Sequence, residues 1–193
     1  VTCGASFDYA WDGATHHTFI DLATLRLIPH TEVIQPGSED EVAAMLATQY
    51  ANGKTTYFRL SDNPHTIKTD TRFGKGTVMK DVGASVTVMT AGPILPNVID
   101  ACEELDVNVA YFHTLKPIDT ELIERFRDTS ILVHDAFGLR EAINEVPGLW
   151  TEYYGLPDAF SSCYGNVHEV RQNIGLDPAG IRRAVVKFKE SRS

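Results

Sequence analysis

The chain has 193 residues, 43% of them hydrophobic and 22% charged, with a formal net charge of -9 and a pI near 5.2. That balance excludes a disordered chain and a nucleic-acid surface, so the expected partners are small molecules or proteins. There is no apolar run of bilayer-spanning length and no leader-like start, and Cys3, Cys102 and Cys163 lack zinc-type spacing; the expected location is a reducing cytoplasm, with no membrane partner.

In chain order, Val1-Thr2-Cys3-Gly4 reads as a strand end, which suggests the tail of something longer or one piece of a split protein. Asp12-Gly13-Ala14-Thr15-His16-His17 then gathers an acid, a hydroxyl and two imidazoles around a glycine. Gly13 tolerates backbone angles that turn these groups toward a common cleft, and imidazoles titrate near neutral pH, which suits proton transfer. From spacing alone an equal reading is structural, with Asp12 capping a turn and Thr15 starting a helix. Residues 18–28 carry a helix-compatible apolar pattern that stops before Pro29. Residues 31–34 read as a strand, and Ser38 caps a helix whose acidic first turn, Glu39-Asp40-Glu41, suits the helix dipole and which ends at Asn52-Gly53.

Residues 55–60 read as a strand leading into the polar loop Ser61-Asp62-Asn63-Pro64-His65. Residues 66–76 lack periodicity and serve as a linker, with a domain boundary near residue 70. Strands at 86–90, 107–113 and 130–134 then alternate with helices at 94–105, 119–126 and 138–145, and two helices, 166–173 and 178–188, close the chain, the last capped by Asp177 with Pro178 at its first position. This alternation predicts an α/β fold with a mostly parallel sheet. Tyr9 and Trp11 flank the site turn; His30, His65, His113 and His134 read as packing, loop or interface residues, and neither Cys102 nor Cys163 has a thiolate-promoting setting.

Three motifs come in one order: D-G-A-T-H-H, L-R-L-I-P-H at Leu25–His30, and V-I-Q-P at Val33–Pro36. Together they resemble the pyrimidine-binding domain of the transketolase family, with its D-G-P-T-H-Q, L-R-x-I-P-N and V-x-x-P segments. Val88-Met89-Thr90-Ala91-Gly92, Leu115-Lys116-Pro117-Ile118-Asp119 and Val133-His134-Asp135 resemble that family's carboxyl-terminal domain. The resemblance implies two α/β units: 1–70, the carboxyl-terminal part of a pyrimidine-binding domain, and 71–193, a transketolase carboxyl-terminal-like domain. It further implies ketol or acyl transfer with thiamine diphosphate and Mg2+, on a ketose, aldose or 2-oxo acid, in a dimer or larger assembly. Asp12 would bind the substrate hydroxyl beside the carbonyl, and His16 would be catalytic in proton transfer. His17, where glutamine is usual, and Asp62, where sugar-phosphate transketolases carry arginine, fall at substrate-binding positions.

Gly4 stands where many relatives offer a histidine, and Asp62 opposes a phosphate dianion, so any phosphate is expected to be bound differently from that of transketolases of sugar metabolism. Arg59 is expected to point away from Asp62. No glycine-aspartate-glycine segment with a downstream asparagine is present, so the diphosphate and metal are expected on a missing region or a partner subunit. A deoxyxylulose phosphate synthase-like condensation and a non-catalytic assembly or regulatory module are the alternatives; the L-R-x-I-P pattern disfavours a 2-oxo acid dehydrogenase beta component.

Overall fold

The computed structural model describes residues 1–127, 130–149, 151–159 and 162–192. The first sheet is built from β1 (Thr31–Ile34), its parallel neighbour β2 (Thr55–Phe58) and an antiparallel β6 (Thr114–Lys116), in the order β2-β1-β6. Thr2 extends it through a parallel bridge to Arg59. Two helices belong to this half, α1 (Asp21–Arg26) and α2 (Glu39–Gln49), and the Ser38 side chain caps α2 by accepting the Glu41 N–H.

The second sheet has five strands in the order β3-β5-β4-β7-β8, with β3 (Thr77–Lys80) antiparallel to β5 (Asn108–Phe112) and the rest parallel: β4 (Thr87–Ala91), β7 (Ser130–His134) and β8 (Thr151–Gly155). The expected α/β class with a mostly parallel sheet is what forms. Every residue of β4, β5 and β7 is buried, as strands covered on both faces must be. One cover is α3 (Leu95–Cys102) with α7 (Pro178–Glu190), whose Val98, Ile181, Val185 and Phe188 pack on Val88, Val109 and Ile131. Opposite lie α4 (Thr120–Arg125) and α5 (Leu139–Ile143), sharing a core with Leu22 and Val33 of the first half; α6 (Val167–Asn173) packs on Phe7 and Ala10.

Three strands lie outside the sequence expectations, namely β3, β6 and β8. The helix expected over 18–28 shrinks to Asp21–Arg26, because tight 3-10 turns at Ala10–Asp12 and Ala14–His16 use the preceding chain and Ser6 pairs with Thr18. The helix beginning at Glu39 ends at Gln49 rather than at Asn52-Gly53, with Tyr50 leaving in extended geometry.

Because β5 and β7 flank β4 on opposite sides, the strand order reverses at β4, and α/β sheets usually open a ligand crevice at such a point. Here the first half fills it. Gln35 hydrogen-bonds His134 Nε2 (2.8 Å) and lies so close to Gly92 that a Cβ there would meet its Cδ at 2.6 Å, while Ser6 Oγ donates to the Asp135 carbonyl (2.5 Å). The turn that carries Asp12 and His16 therefore lies at the protein surface rather than in the sheet crevice.

Candidate functional site

The two 3-10 turns meet at Gly13, whose φ of 74° falls in the left-handed region. Asp12 N–H donates to the Tyr9 carbonyl (3.0 Å) and His16 N–H to the Gly13 carbonyl (3.0 Å), so Asp12 closes the first turn and His16 the second. Their side chains are exposed. Thr15 Oγ1 lies 3.0 Å from His16 Nδ1 and orients the imidazole, leaving Nε2 without a hydrogen-bond partner among the described residues. The Tyr164 ring, from the loop before α6, covers Gly13: a Cβ there would meet Tyr164 Cε1 at 2.4 Å. Sequence reasoning missed Tyr164, since nothing in its neighbourhood signals that contact.

His17 is turned the other way. Its ring packs edge-on against Phe7 (centroids 5.1 Å apart) and tilted against Phe19 (5.4 Å). Burial first, then the neighbouring His16, lowers its pKa, so the ring is neutral near pH 7. Both ring nitrogens are sheltered and have no hydrogen-bond partner among the described residues. Phe7 and Phe19 also wall a cleft of about 550 Å³ shared with Phe137, Tyr153, Leu156 and Arg140. Asp12 and His16 lie outside its lining, so the cleft expected around them is not supplied by this chain's described residues.

Asp8, which the sequence reading passed over, is the anchor of the region. Its carboxylate accepts from Ala5 N–H (2.8 Å), Ser61 Oγ (2.8 Å), Asp62 N–H (3.0 Å) and Asn63 Nδ2 (2.8 Å), tying the 61–63 loop to the start of the site turn. Asp62 itself is exposed. Arg59 points away from it, as alternation along the strand predicts: it is buried, its Nε 3.0 Å from Asp21 Oδ2, and Nη2 donates to the Thr18 carbonyl. The Tyr9 ring lies over Gly4, where a Cβ would come within 2.3 Å of Cε2.

The remaining histidines divide as the sequence suggests. His113 and His134 are buried, the former hydrogen-bonded to Thr114 Oγ1 and the Asp70 carbonyl; His65 is buried edge-on against Tyr111, and His30 is exposed at a positive φ of 60°. Cys102 is buried and its thiol is pushed up to about 12, which makes it unreactive. Among the described residues no group of three His, Cys, Asp or Glu side chains could seat a metal ion, and no helix is long and apolar enough to cross a membrane.

The class is a mixed α/β protein in which an exposed turn carrying Asp12 and His16 is backed by a second, mostly parallel sheet. Residues 1–64 match the family described as transketolase, pyrimidine binding domain. The chain belongs to the transketolase family.

Among relatives, the 1-deoxy-D-xylulose-5-phosphate synthase of Aromatoleum aromaticum is 30% identical over 193 residues, covering 90% of this chain and 30% of the relative. That of Bordetella avium is 32% identical over 196 residues, again covering 90% and 30%. The chain thus spans about 30% of the length of the curated relatives it matches. A split-gene transketolase solved as an inactive beta4 tetramer superimposes with a TM-score of 0.79 at 25% identity, covering 91% of this chain and 63% of that one. The transketolase of Campylobacter jejuni shares the fold at a TM-score of 0.77 and 18% identity, over 96% of this chain and 30% of its own.

Proposed function

We propose that this chain is a component of a thiamine diphosphate-dependent, transketolase-like enzyme that transfers a two-carbon ketol or acyl unit between carbonyl substrates. The carrying observation is the pair of exposed turns that carry Asp12 and His16, the latter oriented by Thr15, within the segment that matches the pyrimidine-binding domain. When bound, the cofactor supplies the nucleophilic carbon that carries the transferred unit. His16 holds and moves a proton at the substrate oxygen and Asp12 accepts a hydrogen bond from the adjacent hydroxyl, whereas His17, packed against Phe7 and Phe19 with both ring nitrogens sheltered, supports the turn from behind rather than binding the ligand. Asp62 borders the far end of the substrate. Residues 1–70 act as the carboxyl-terminal part of a pyrimidine-binding domain and 71–193 as a transketolase carboxyl-terminal-like domain.

The diphosphate and Mg2+ would be held largely by residues outside this segment, in a homo-oligomer or with a diphosphate-binding subunit, in the cytoplasm. The ligand is a ketose, aldose or 2-oxo acid. A second reading, a decarboxylating condensation of the deoxyxylulose phosphate synthase type, is favoured by relatives of that name at 30–32% identity. In the assembled protein, His16→Ala should lower kcat by about 100-fold or more while thiamine diphosphate affinity stays within a few-fold. Unchanged turnover would defeat the role of His16. Absence of thiamine diphosphate binding with saturating Mg2+ would leave a non-catalytic assembly module instead.

A further inference from the structure

We infer that the aromatic cleft between the two halves is a binding site for an aromatic α-amino acid, held as its zwitterion. Its volume of about 550 Å³ falls within the roughly 300–1,000 Å³ of small-molecule sites, and Asp12 and His16 lie outside its lining. Residues just beyond the carboxyl ends of β7 and β8 line it, and that is the end at which α/β sheets take up ligands. Phe137 N–H donates to the Phe19 carbonyl (2.8 Å), which ties the two halves together at the cleft wall. The walls are aromatic and fixed. The Phe137 and Tyr153 rings stack at 24° with centroids 6.3 Å apart, and the Tyr153 hydroxyl accepts Leu156 N–H and donates to the His134 carbonyl, both at 3.3 Å. Phe7 and Phe19 meet edge-on with centroids 5.0 Å apart. A planar ring placed among them gains both apolar burial and ring–ring contact.

The charges select the class of ligand. Arg140, in the first turn of α5, holds its guanidinium over the Tyr153 ring, 6.0 Å from the centroid, and Asp158 stands in the loop after β8. Both line the cleft, yet neither has an ion pair or a side-chain hydrogen bond among the described residues, with each other or with any other group. An aromatic acid would satisfy Arg140 but set an anion against Asp158, and an aromatic amine would do the reverse. An α-amino acid carries both charges on one carbon, so its carboxylate takes the guanidinium fork while its ammonium donates to the Asp158 carboxylate.

The test titrates the full chain with L-phenylalanine, followed by calorimetry and by ligand-observed NMR. Saturable binding with a Kd of about 1 mM or tighter is expected. Phenethylamine and 3-phenylpropionate, which each lack one charge, and glycine, which lacks the ring, should bind about tenfold or more weaker. Arg140→Ala and Asp158→Asn replace exposed side chains, so each should keep the wild-type circular dichroism spectrum and lose about tenfold or more in affinity for L-phenylalanine. No saturable binding to the wild type by either method up to about 10 mM overturns the inference. Binding by either variant at wild-type strength overturns it as well, as does a singly charged analogue that binds as tightly as the amino acid.

Discussion

His134 lies at the end of β7 with no exposed surface, facing Gln35 and near Asp135, Arg59 and Glu141. Burial, only partly opposed by Asp135, lowers its pKa from 6.5 to about 4. The unfolded chain therefore takes up this proton near 6.5 and the folded chain only near 4. Between those values the unfolded state binds more protons, so stability rises with pH; the contribution is complete above 6.5 and is lost as pH falls toward 4. The span corresponds to roughly 3 kcal/mol. Asp135 behaves as a depressed acid: burial pushes it up, but Arg171, 2.5 Å away, together with His134 and Arg59 outweighs this, so its contribution is lost only below the ordinary carboxylate range. Urea unfolding at about pH 7.5 and about pH 5 should show the wild type losing more stability than His134→Gln. Equal losses would show that His134 does not carry the effect, and the lowered values of His17 and His65 would then become its source.

Helix starts and inner strands are where local chemistry and final structure coincide. Ser38 caps α2, Asp177 caps α7 and Asp119 caps α4, each accepting a backbone N–H from the first turn, and all three starts are readable because a cap acts on residues two or three positions away. Ser38→Ala should cost about 1 kcal/mol, seen as a lower urea midpoint with an unchanged slope; a changed slope would mean that the unfolded ensemble had moved instead. β4, β5 and β7 are equally legible, since full burial demands continuous apolar runs. β3, β6 and β8 are not: β3 and β8 are partly exposed edge strands, and the three residues of β6 are strand only because β1 lies beside them. The turn at Gly13 was legible from the glycine itself, which takes the positive φ that the turn requires. Asp8 was not, because Ser61, Asp62 and Asn63 reach it from more than fifty residues away and no local pattern encodes that meeting. The placement of His17 depends on Phe7 and Phe19 closing around it, again a property of packing.

At the scale of the molecule, the two sheets are joined through buried polar ties as well as apolar contact. Glu41 of α2 has no exposed surface and accepts from Gly37 N–H (2.7 Å), from Tyr111 Oη of β5 (2.9 Å) and from Thr69 Oγ1 in the connecting segment. One carboxylate thus satisfies donors from the first sheet's half, the connection and the second sheet. Burial, reinforced by Glu41, keeps the Tyr111 hydroxyl protonated far above pH 7, so it acts as a permanent donor. Glu41→Ala would strand two buried donors, Gly37 N–H and Tyr111 Oη, and the part-buried Thr69 hydroxyl; at about 1–3 kcal/mol for each buried donor left unmade, the loss is several kcal/mol and falls on both halves. Native-state hydrogen exchange can locate that loss. If the sheets unfold as one cooperative unit, amides of β1 and of β4 should lose protection by the same free energy, and thermal unfolding should stay a single transition at lower temperature. Loss confined to β1, with β4 protected as in the wild type, would mean that the second sheet stands alone and that the first half is only docked on it. The surface turn bearing Asp12 and His16 would then be able to loosen without unfolding the sheet beneath it.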